Sequence, residues 1–355
     1  MINGHGGNVY EWARKMACSP DDIVDMSSNI NPLGTPSQLL DTLKDQLYLI
    51  HRLPEVDNKT LIRKFAAFYD KHVEQVVAES GTTDFIYQLP KILGSKKALI
   101  VGPTYADYAD ACERNKVDVH YLLAEANQNF IPEITDDALK KVDTVFLCNP
   151  NNPTGHFMFS DQLKEMCQEY PDVRFIIDES YLHFCPEHDD ETMIRCGLAN
   201  VIVLCSFSKI FAIPGLRLGF VVAHKDIIQS FRQLENPWNV NCLAQIAGTF
   251  LFDNMLMVQD FIHNTTCHIQ TEKNKFQSTF ANYPHVKMFG TFAPYLLIQL
   301  PDHIIAESVC SRLIKKKYLI RNCSNFYGLT EHFIRIAYKD ADNNKILLEY
   351  LTEIL

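Results

Sequence analysis

The sequence predicts an α/β protein built on one large, mostly parallel β-sheet, and two observations support this prediction. Short runs of β-branched and other apolar residues recur along the chain, and each run ends at a polar or turn-forming residue. Longer amphipathic stretches separate these runs. Parallel strands joined by crossover helices produce this alternation. We therefore expect a large sheet domain, followed by a smaller unit where the pattern changes.

Five apolar runs predict the strands of the large sheet. Four of them read as buried parallel strands, namely Ala98–Val101, Thr144–Cys148, Val173–Ile177 and Val201–Cys205. The fifth run, Phe220–Ala223, follows the turn Pro214-Gly215 and is expected to add a further strand.

The last hundred residues have a different pattern. A helical stretch from about Ile246 to Phe280 is followed by short strand-like and helical segments, at Tyr295–Gln299, Ala306–Lys316, Tyr318–Arg321 and Phe333–Ala337. We therefore predict an N-terminal arm (residues 1–34), a large domain (35–250) and a small α+β C-terminal domain (251–355). The arm is too short to fold alone, so it should pack against the small domain or reach a neighbouring subunit.

Composition and charge exclude several classes of function. The chain is 47% apolar and 21% charged, as is ordinary for a globular protein. It has no apolar run of the roughly 18 residues that a membrane span requires. Residues 1–5 lack the basic and apolar regions of a signal peptide, so we expect a cytoplasmic protein without a membrane anchor. A net charge of −10 argues against nucleic-acid binding.

The cysteines predict neither disulfides nor a metal site. The 11 cysteines are scattered, without a Cys-x-x-Cys pair, which favours free thiols in a reducing compartment. The tightest group of potential ligands is His183, Cys185 and His188, and its spacing matches no common zinc pattern.

Polar residues follow each of the four predicted parallel strands. They occur in the segments Gly102–Tyr105, Asn149–Gly155, Asp178–Tyr181 and Ser206–Lys209. Ligands of open α/β sheets bind at the carboxyl ends of the strands, so these segments should meet at one edge. Together they supply an amine for an aldehyde, a carboxylate for a ring nitrogen, an aromatic face and hydroxyls for a phosphate. This set suits a flat, phosphorylated heteroaromatic aldehyde.

Three of these segments resemble the fold type I, aminotransferase-like enzymes that depend on pyridoxal 5'-phosphate. The similar segments are Asn149–Gly155, Asp178–Tyr181, and Ser206-x-Ser208-Lys209 followed by Pro214–Gly219. Their order and separations resemble the family pattern across essentially the whole chain. The resemblance implies the fold type I architecture with a seven-stranded type of sheet, pyridoxal 5'-phosphate as cofactor, and a homodimer with the active site at the interface.

The resemblance also implies roles for individual residues. Lys209 is expected to bond to the cofactor aldehyde and to carry a proton, Asp178 to pair with the ring nitrogen, and Tyr181 and Asn152 to bind the ring oxygen. The remaining predicted cofactor contacts are Gly81, Thr82, Thr83, Tyr105, Ser206, Ser208 and Arg217. Structural alternatives stay open for several of them: a helix cap for Asp178 and for the Gly81 turn, core packing for Tyr105, and an ion pair for Arg217.

Two branches of the family share these motifs, the histidinol-phosphate aminotransferases and the L-threonine-O-phosphate decarboxylases of cobalamin biosynthesis. Four segments resemble the decarboxylases, at His5–Asn8, Ser28–Gly34, Pro237–Asn241 and Ile320–Leu329. This implies decarboxylation of L-threonine O-3-phosphate to (R)-1-aminopropan-2-yl phosphate, with L-serine O-phosphate as a further substrate to be considered and histidinol-phosphate-type transamination as the alternative. The implied substrate contacts are His5, Gly6, Gly7, Asn31, Asn152, Arg321 and Arg335.

The sequence departs from the family pattern at three positions. Leu53 stands where relatives usually carry a tyrosine that reaches the cofactor phosphate of the partner subunit. Thr82 replaces a glutamate, and Pro294 stands where an asparagine is common. A non-catalytic binding protein that retains the fold is a further alternative, and the intact set of Lys209 and Asp178 argues against it.

Overall fold

The structure is a computed structural model, and it describes residues 6–186, 188–290 and 292–355. Its strands are β1 Val24–Asp25, β2 Val76–Glu79, β3 Lys97–Gly102, β4 Asp118–Leu123, β5 Thr144–Cys148, β6 Arg174–Asp178, β7 Val201–Ser206, β8 Gly219–Val222, β9 Lys287–Phe289, β10 Tyr295–Gln299, β11 Tyr318–Leu319, β12 Arg321–Asn322 and β13 Phe333–Ala337. Its α-helices are α1 Val9–Met16, α2 Ser37–Asp45, α3 Lys59–Phe68, α4 Thr82–Leu93, α5 Asp107–Arg114, α6 Asp136–Leu139, α7 Ser160–Glu169, α8 His188–Glu191, α9 Lys225–Arg232, α10 Cys242–Asp253, α11 Met255–Phe280, α12 Ala306–Ile314 and α13 Ala341–Thr352.

The large sheet has seven strands in the order β2-β8-β7-β6-β5-β3-β4. Strand β8 is antiparallel to both of its neighbours, and the other neighbouring pairs are parallel. Every residue of the central strands β5 and β7 is buried, because helices cover both faces of the sheet. The predicted α/β class is therefore confirmed, and the five predicted strands end within one residue of the observed ends.

Two strands of this sheet were not predicted from the sequence. Strand β2 has only four residues and ends at Glu79. Strand β4 lies at the edge of the sheet, and most of its side chains are exposed. Neither segment therefore carries the long apolar run that marks a central parallel strand.

Two predictions in the C-terminal region need correction. The helical stretch from Ile246 to Phe280 is divided between α10 and α11 at Asn254, which has non-helical dihedral angles (φ −123°, ψ 46°). The Asn254 Nδ2 donates a hydrogen bond to the Phe250 carbonyl oxygen (2.8 Å) and so competes with helix continuation. The run Tyr318–Arg321 is also divided, because β11 pairs with β1 whereas β12 pairs with β13.

The small domain contains an antiparallel sheet in the order β12-β13-β10-β9. The N-terminal segment contacts the small domain through a separate two-stranded sheet, in which β1 pairs in parallel with β11 and Val24 lies opposite Tyr318. Helix α1 contributes to the same contact, because its buried side chain Ala13 packs in one apolar cluster with Ile314 and Leu319. The two ends of the chain therefore meet in one unit.

An apolar cluster connects the small domain to the loop after β4. Phe130 of this loop packs against Phe289 and Phe333 of the small sheet, with ring centroids 4.6 Å and 5.9 Å apart. Cys323 and Phe326, which follow β12, belong to the same cluster. The segment after β12 is thus held between the two domains.

The described residues offer no sign of a metal centre or a membrane span. In the ranges given above, no three His, Cys, Asp or Glu side chains are grouped as metal ligands, and no helix is long and apolar enough to cross a bilayer. The cysteines are free thiols.

Candidate active site

Two adjoining cavities lie at the carboxyl ends of the parallel strands. The inner lobe has a volume of about 130 Å³, and the outer lobe about 380 Å³. Both cavities are lined by Tyr105, Asn152, Tyr181 and Lys209. The inner lobe also contacts Thr82, Thr83, Asp178, Ser206, Ser208 and Arg217, and the outer lobe contacts Gly6, Ser27, Asn29, Arg321 and Arg335. The structure thus brings most of the predicted site residues together.

Asp178 forms the floor of the inner lobe, at the end of β6. Its Oδ1 accepts hydrogen bonds from the Ser180 N–H (2.9 Å) and Oγ (2.5 Å), and its Oδ2 accepts one from the Tyr108 hydroxyl (2.7 Å). Burial raises the pKa of Asp178, and the hydrogen bonds from Ser180 and Tyr108 oppose this rise. The carboxylate is fixed in place and lacks a cationic partner among the described side chains, so a protonated ring nitrogen would fit beside it.

Lys209 lies where the two lobes meet. Burial, followed by the positive charges of Arg335 and Arg217, lowers the pKa of its amine to about 8, against a small opposing effect of Asp25. A larger fraction of the amine is therefore neutral at physiological pH than in an exposed lysine, and the neutral amine is the form that attacks an aldehyde.

Several hydrogen-bond donors lie together in the inner lobe, around the start of helix α4 and the Arg217 guanidinium. Helix α4 begins there at Thr82, and no side chain caps its first turn. Gly81 precedes it with φ +88°, and a Cβ at this position would lie 2.4 Å from the Arg217 Nη2. Only glycine therefore allows the guanidinium to lie against the start of the helix. With the Ser206 and Ser208 hydroxyls, this arrangement forms an anion site.

Arg321 and Arg335 face each other in the outer lobe. They are directly opposite in the antiparallel pairing of β12 with β13. Among the described residues, neither arginine has a carboxylate partner. Like charges directly opposite each other destabilise a sheet, so an anionic ligand would relieve this repulsion.

Arg335 is only 4% exposed, and its head group is oriented from two sides. Its Nη2 donates to the Ser27 carbonyl oxygen (2.7 Å) and its Nη1 to the Asn152 Oδ1. The Nε has no hydrogen-bond partner. Arg321 is less buried; its Nη2 donates to the Asn325 Oδ1 (2.6 Å), and its guanidinium lies 5.1 Å from the centre of the Phe326 ring. The two cations are therefore held in place by neutral groups.

The N-terminal arm closes one side of the outer lobe. Gly6 lies so close to the following segment that a Cβ there would be 2.3 Å from the Ser27 carbonyl oxygen. The Gly7 N–H donates to the Ser27 Oγ (2.7 Å). His5, which the sequence predicts as a substrate contact, lies outside the described residues.

Two residues predicted as substrate contacts, Gly7 and Asn31, are absent from the lining of both lobes. Asn31 does not line either lobe: its Nδ2 donates to the Ile210 carbonyl (2.6 Å) and the Thr265 Oγ1 (2.8 Å), and its Oδ1 accepts from the Leu33 N–H (2.9 Å). Its hydrogen-bonding capacity is used to hold the chain next to Lys209.

Asn29 lines the outer lobe instead. Its Nδ2 donates to the Tyr181 hydroxyl (2.9 Å), while its buried Oδ1 has no partner. The segment Ser28-Asn29-Ile30-Asn31 signalled an asparagine contact, but the sequence could not show which of the two amides points into the cavity.

The inner lobe fits pyridoxal 5'-phosphate. It offers a lysine amine with a lowered pKa, a fixed carboxylate, the Tyr105 ring and a phosphate cradle that a Cβ at Gly81 would fill. The Leu53 side chain, in contrast, is 72% exposed and does not line either lobe.

Comparison with known proteins agrees with this geometry. The chain is 31% identical over 99% of its length to the threonine-phosphate decarboxylase of Salmonella typhimurium, covering 97% of that protein. It is 32% identical over 99% of its length to an adenosylcobalamin biosynthesis bifunctional protein of Leptospira interrogans, but spans only 41% of that longer protein.

Solved structures of both branches are similar to the chain. An L-threonine-O-3-phosphate decarboxylase from Porphyromonas gingivalis has a TM-score of 0.84 at 27% identity, covering 94% of this chain and 99% of that one. A histidinol-phosphate aminotransferase from Clostridium acetobutylicum has a TM-score of 0.82 at 26% identity, with 93% and 98% covered. The sequence also matches the family "Aminotransferase class I and II" over residues 21–351. The protein belongs to this family of fold type I enzymes, and its cofactor is pyridoxal 5'-phosphate.

Proposed function

We propose that the protein decarboxylates L-threonine O-3-phosphate to (R)-1-aminopropan-2-yl phosphate in cobalamin biosynthesis. The observation that carries the proposal is the pair Arg321 and Arg335, two cations directly opposite each other and without a carboxylate partner in the described chain. A phosphorylated amino acid has two anionic ends, and each arginine can bind one of them. The similarity to a protein named threonine-phosphate decarboxylase supports the same substrate.

The two arginines differ in depth, and this difference suggests which end each of them binds. Arg335 is buried and contacts Asn152, which also lines the inner lobe, so it is placed to bind the α-carboxylate. Arg321 lies farther out, next to Asn325 and Phe326, and is assigned to the phosphate. Fixing both ends would restrict rotation of the substrate at Cα and so decide which Cα bond breaks.

The residues of the chain supply the remaining steps. When bound, pyridoxal 5'-phosphate supplies an electron-withdrawing ring that accepts the electrons of the broken Cα bond. Asp178 would hold the proton on the ring nitrogen, and Tyr181, whose hydroxyl accepts a hydrogen bond from Asn29, would bind the ring oxygen. The Lys209 Nζ delivers a proton to Cα after carbon dioxide leaves. Gly6 forms part of the wall of the outer lobe, so the N-terminal arm lies next to the bound substrate.

We also propose that two copies form a homodimer in the cytoplasm. The segment 47–53 exposes large apolar side chains, among them Tyr48 at 60% and Leu53 at 72%. It borders a groove of about 550 Å³ that is also lined by residues of α10. An apolar surface of this kind is typical of a protein interface, and the family expectation makes a second copy the occupant.

Histidinol-phosphate-type transamination is the second candidate. It is favoured by the structural similarity to an aminotransferase of that type, with a TM-score of 0.82. It would use the same arginines, because its substrate is also phosphorylated, but the Cα–H bond would break instead of the bond to the carboxylate.

Carbon dioxide release by the purified holoenzyme tests the proposal. L-threonine O-phosphate and L-serine O-phosphate are supplied in parallel, and sedimentation of the same preparation measures its oligomeric state. We expect release from L-threonine O-phosphate and a dimer. Loss of the β-methyl group should change the rate by about 10- to 200-fold at most. The absence of release from both substrates, with amino transfer between histidinol phosphate and 2-oxoglutarate, would replace the proposal by the second candidate.

A further inference from the structure

The segment after β12 contacts both the outer lobe and the edge of the large sheet. Asn325 and Phe326 line the outer lobe, and the next two residues, Tyr327 and Gly328, pack against side chains of β4. The Tyr327 and Tyr121 rings are 4.3 Å apart at an interplanar angle of 37°. Gly328, with φ +95°, is so close to Leu123 that a Cβ would lie 2.9 Å from its Cδ2. One short segment thus joins a substrate-lining surface to the other domain.

The positions on β4 explain how this contact forms. Tyr121 and Leu123 are two residues apart, so their side chains lie on the same face of the strand. Both side chains are partly exposed, Tyr121 at 37% and Leu123 at 38%, so this face is accessible to the segment from the small domain. Leu123 also lies against Gly102, since a Cβ there would be 3.2 Å from the Leu123 Cδ2. Gly102 begins the segment that leads to Tyr105 of the inner lobe.

Arg321 depends on this segment for its position. Its guanidinium is held by the Asn325 side chain (2.6 Å) and lies over the Phe326 ring. The chain then reaches Tyr327, which is 62% exposed and whose ring contacts Tyr121. An arginine side chain that must be ordered on binding loses affinity through its rotamer entropy. A contact that orders Asn325 and Phe326 beforehand therefore strengthens anion binding at Arg321.

We propose that Tyr121 and Tyr327 form an aromatic latch that determines specificity for a phosphorylated substrate. Neither residue lines the cavities, so both are positioning residues that act through Asn325 and Phe326 on Arg321. The assignment of the phosphate to Arg321 rests on the proposed function. The latch itself rests on the contacts between β4 and residues 325–328.

Hydrogen exchange and kinetics test the latch together. In Tyr121→Ala we expect faster amide exchange in residues 323–329, and a KM for L-threonine O-phosphate raised by about 3- to 10-fold, the effect of losing one aromatic pair. The kcat, the cofactor content and the affinity for unphosphorylated L-threonine should stay unchanged. Tyr121→Phe, which keeps the ring, should behave like the wild type.

A double-mutant cycle and a matched control complete the test. Tyr327→Ala should resemble Tyr121→Ala, and the double variant should show no further loss, because both substitutions remove one contact. The control is Tyr350→Ala, which removes one ring of the Tyr318–Tyr350 pair (5.6 Å) away from both lobes and should leave the KM unchanged.

The possible failures are distinguishable. Unchanged exchange in residues 323–329 of Tyr121→Ala would overturn the latch, whatever the enzyme acts on. Faster exchange with an unchanged KM, or additive losses in the double variant, would overturn its role in specificity. A wild-type enzyme that turns over no phosphorylated amino acid would instead refute the proposed function, and the exchange experiment would still decide whether the latch exists.

Discussion

The inner and outer lobes adjoin at Lys209 but are built in different ways. The inner lobe is formed mainly by the ends of neighbouring strands in one sheet, and its carboxylate, Asp178, already has three hydrogen-bond donors. The outer lobe shares some of these strand ends, but it is formed largely by the N-terminal arm, by two strands of the small domain and by the segment after β12. It leaves the Arg335 Nε and the Asn29 Oδ1 without partners.

This difference shows how the chain separates a permanent ligand from a transient one. A cofactor that stays bound is served by groups held rigidly by a buried sheet. A substrate that enters and leaves is served by cations whose repulsion is relieved only when an anion binds. Substitutions in each lobe can test this distinction.

Removal of the Lys209 amine, where the two lobes meet, should lower the catalytic rate far more than it weakens substrate binding. We expect Lys209→Ala to lower kcat by about 10³-fold or more, because the group that bonds the cofactor and moves the proton is lost. Carbon dioxide release measures the rate, and calorimetry measures binding of L-threonine O-phosphate. The control is Lys97→Ala, which alters an exposed lysine at the end of β3 that lies away from the active site. It should leave the rate and the substrate binding unchanged. Loss of substrate binding comparable to the loss of rate would show that the lobes are not separate.

Single substitutions in the outer lobe should separate the two anionic ends of the substrate. We expect Arg321→Ala to raise the KM for L-threonine O-phosphate by about 10- to 100-fold, as for a lost hydrogen bond to a charged group, without weakening L-threonine binding. Arg335→Ala should weaken the binding of both L-threonine O-phosphate and L-threonine, because both carry the α-carboxylate. Arg312→Ala, on α12 of the same domain, is the control.

The unfolding temperature of these variants provides an independent measurement. Since Arg321→Ala removes one of two like charges, it should not lower the thermal stability of the free enzyme. A clear decrease in the unfolding temperature of Arg321→Ala would argue that this arginine stabilises the fold rather than binds the phosphate. Equal losses of affinity for L-threonine O-phosphate and L-threonine would argue the same.

The two lobes also interact through charge, because Arg335 of the outer lobe lowers the pKa of Lys209. With a Lys209 pKa of about 8, the amine becomes neutral as pH rises through that value, so uptake of pyridoxal 5'-phosphate by the apoenzyme should accelerate and level off above it. At one pH unit below the midpoint, the rate should be about tenfold lower than the plateau. Arg335→Ala removes a positive charge that lowers the pKa of Lys209, and should move the midpoint upward. Stopped-flow absorbance gives the pH profile of cofactor uptake for the wild type and for Arg335→Ala. A wild-type midpoint near pH 10 would contradict the lowered pKa of Lys209.

The contrast between the lobes also explains what the sequence could predict. The inner lobe follows consecutive strand ends, so residues such as Asp178 and Lys209 are each placed by one local pattern, an apolar run that ends at a polar residue. The central strands were predicted within one residue because burial on both faces requires continuous apolar runs.

The outer lobe depends on contacts between distant segments, which no local pattern reveals. The sequence could not distinguish Asn29 from Asn31 as a lining residue, because the choice depends on which side chain of an extended segment meets Tyr181. Strand β4 was missed because its side chains are mostly exposed, and the contact of Tyr121 with Tyr327 was missed with it. The break at Asn254 has a local signal, an asparagine that bonds back to the helix, but such a residue also occurs within continuous helices.

The pairing of β1 with β11 has a consequence for the order of assembly at the ribosome. All seven strands of the large sheet lie between Val76 and Val222, so the emerging chain can complete them, with Lys209, while the C-terminal third is still being translated. Residues 24 and 25 must wait for residues 318 and 319 before they can pair. The emerging chain therefore completes the strands that carry its cofactor residues before it has a place for its substrate.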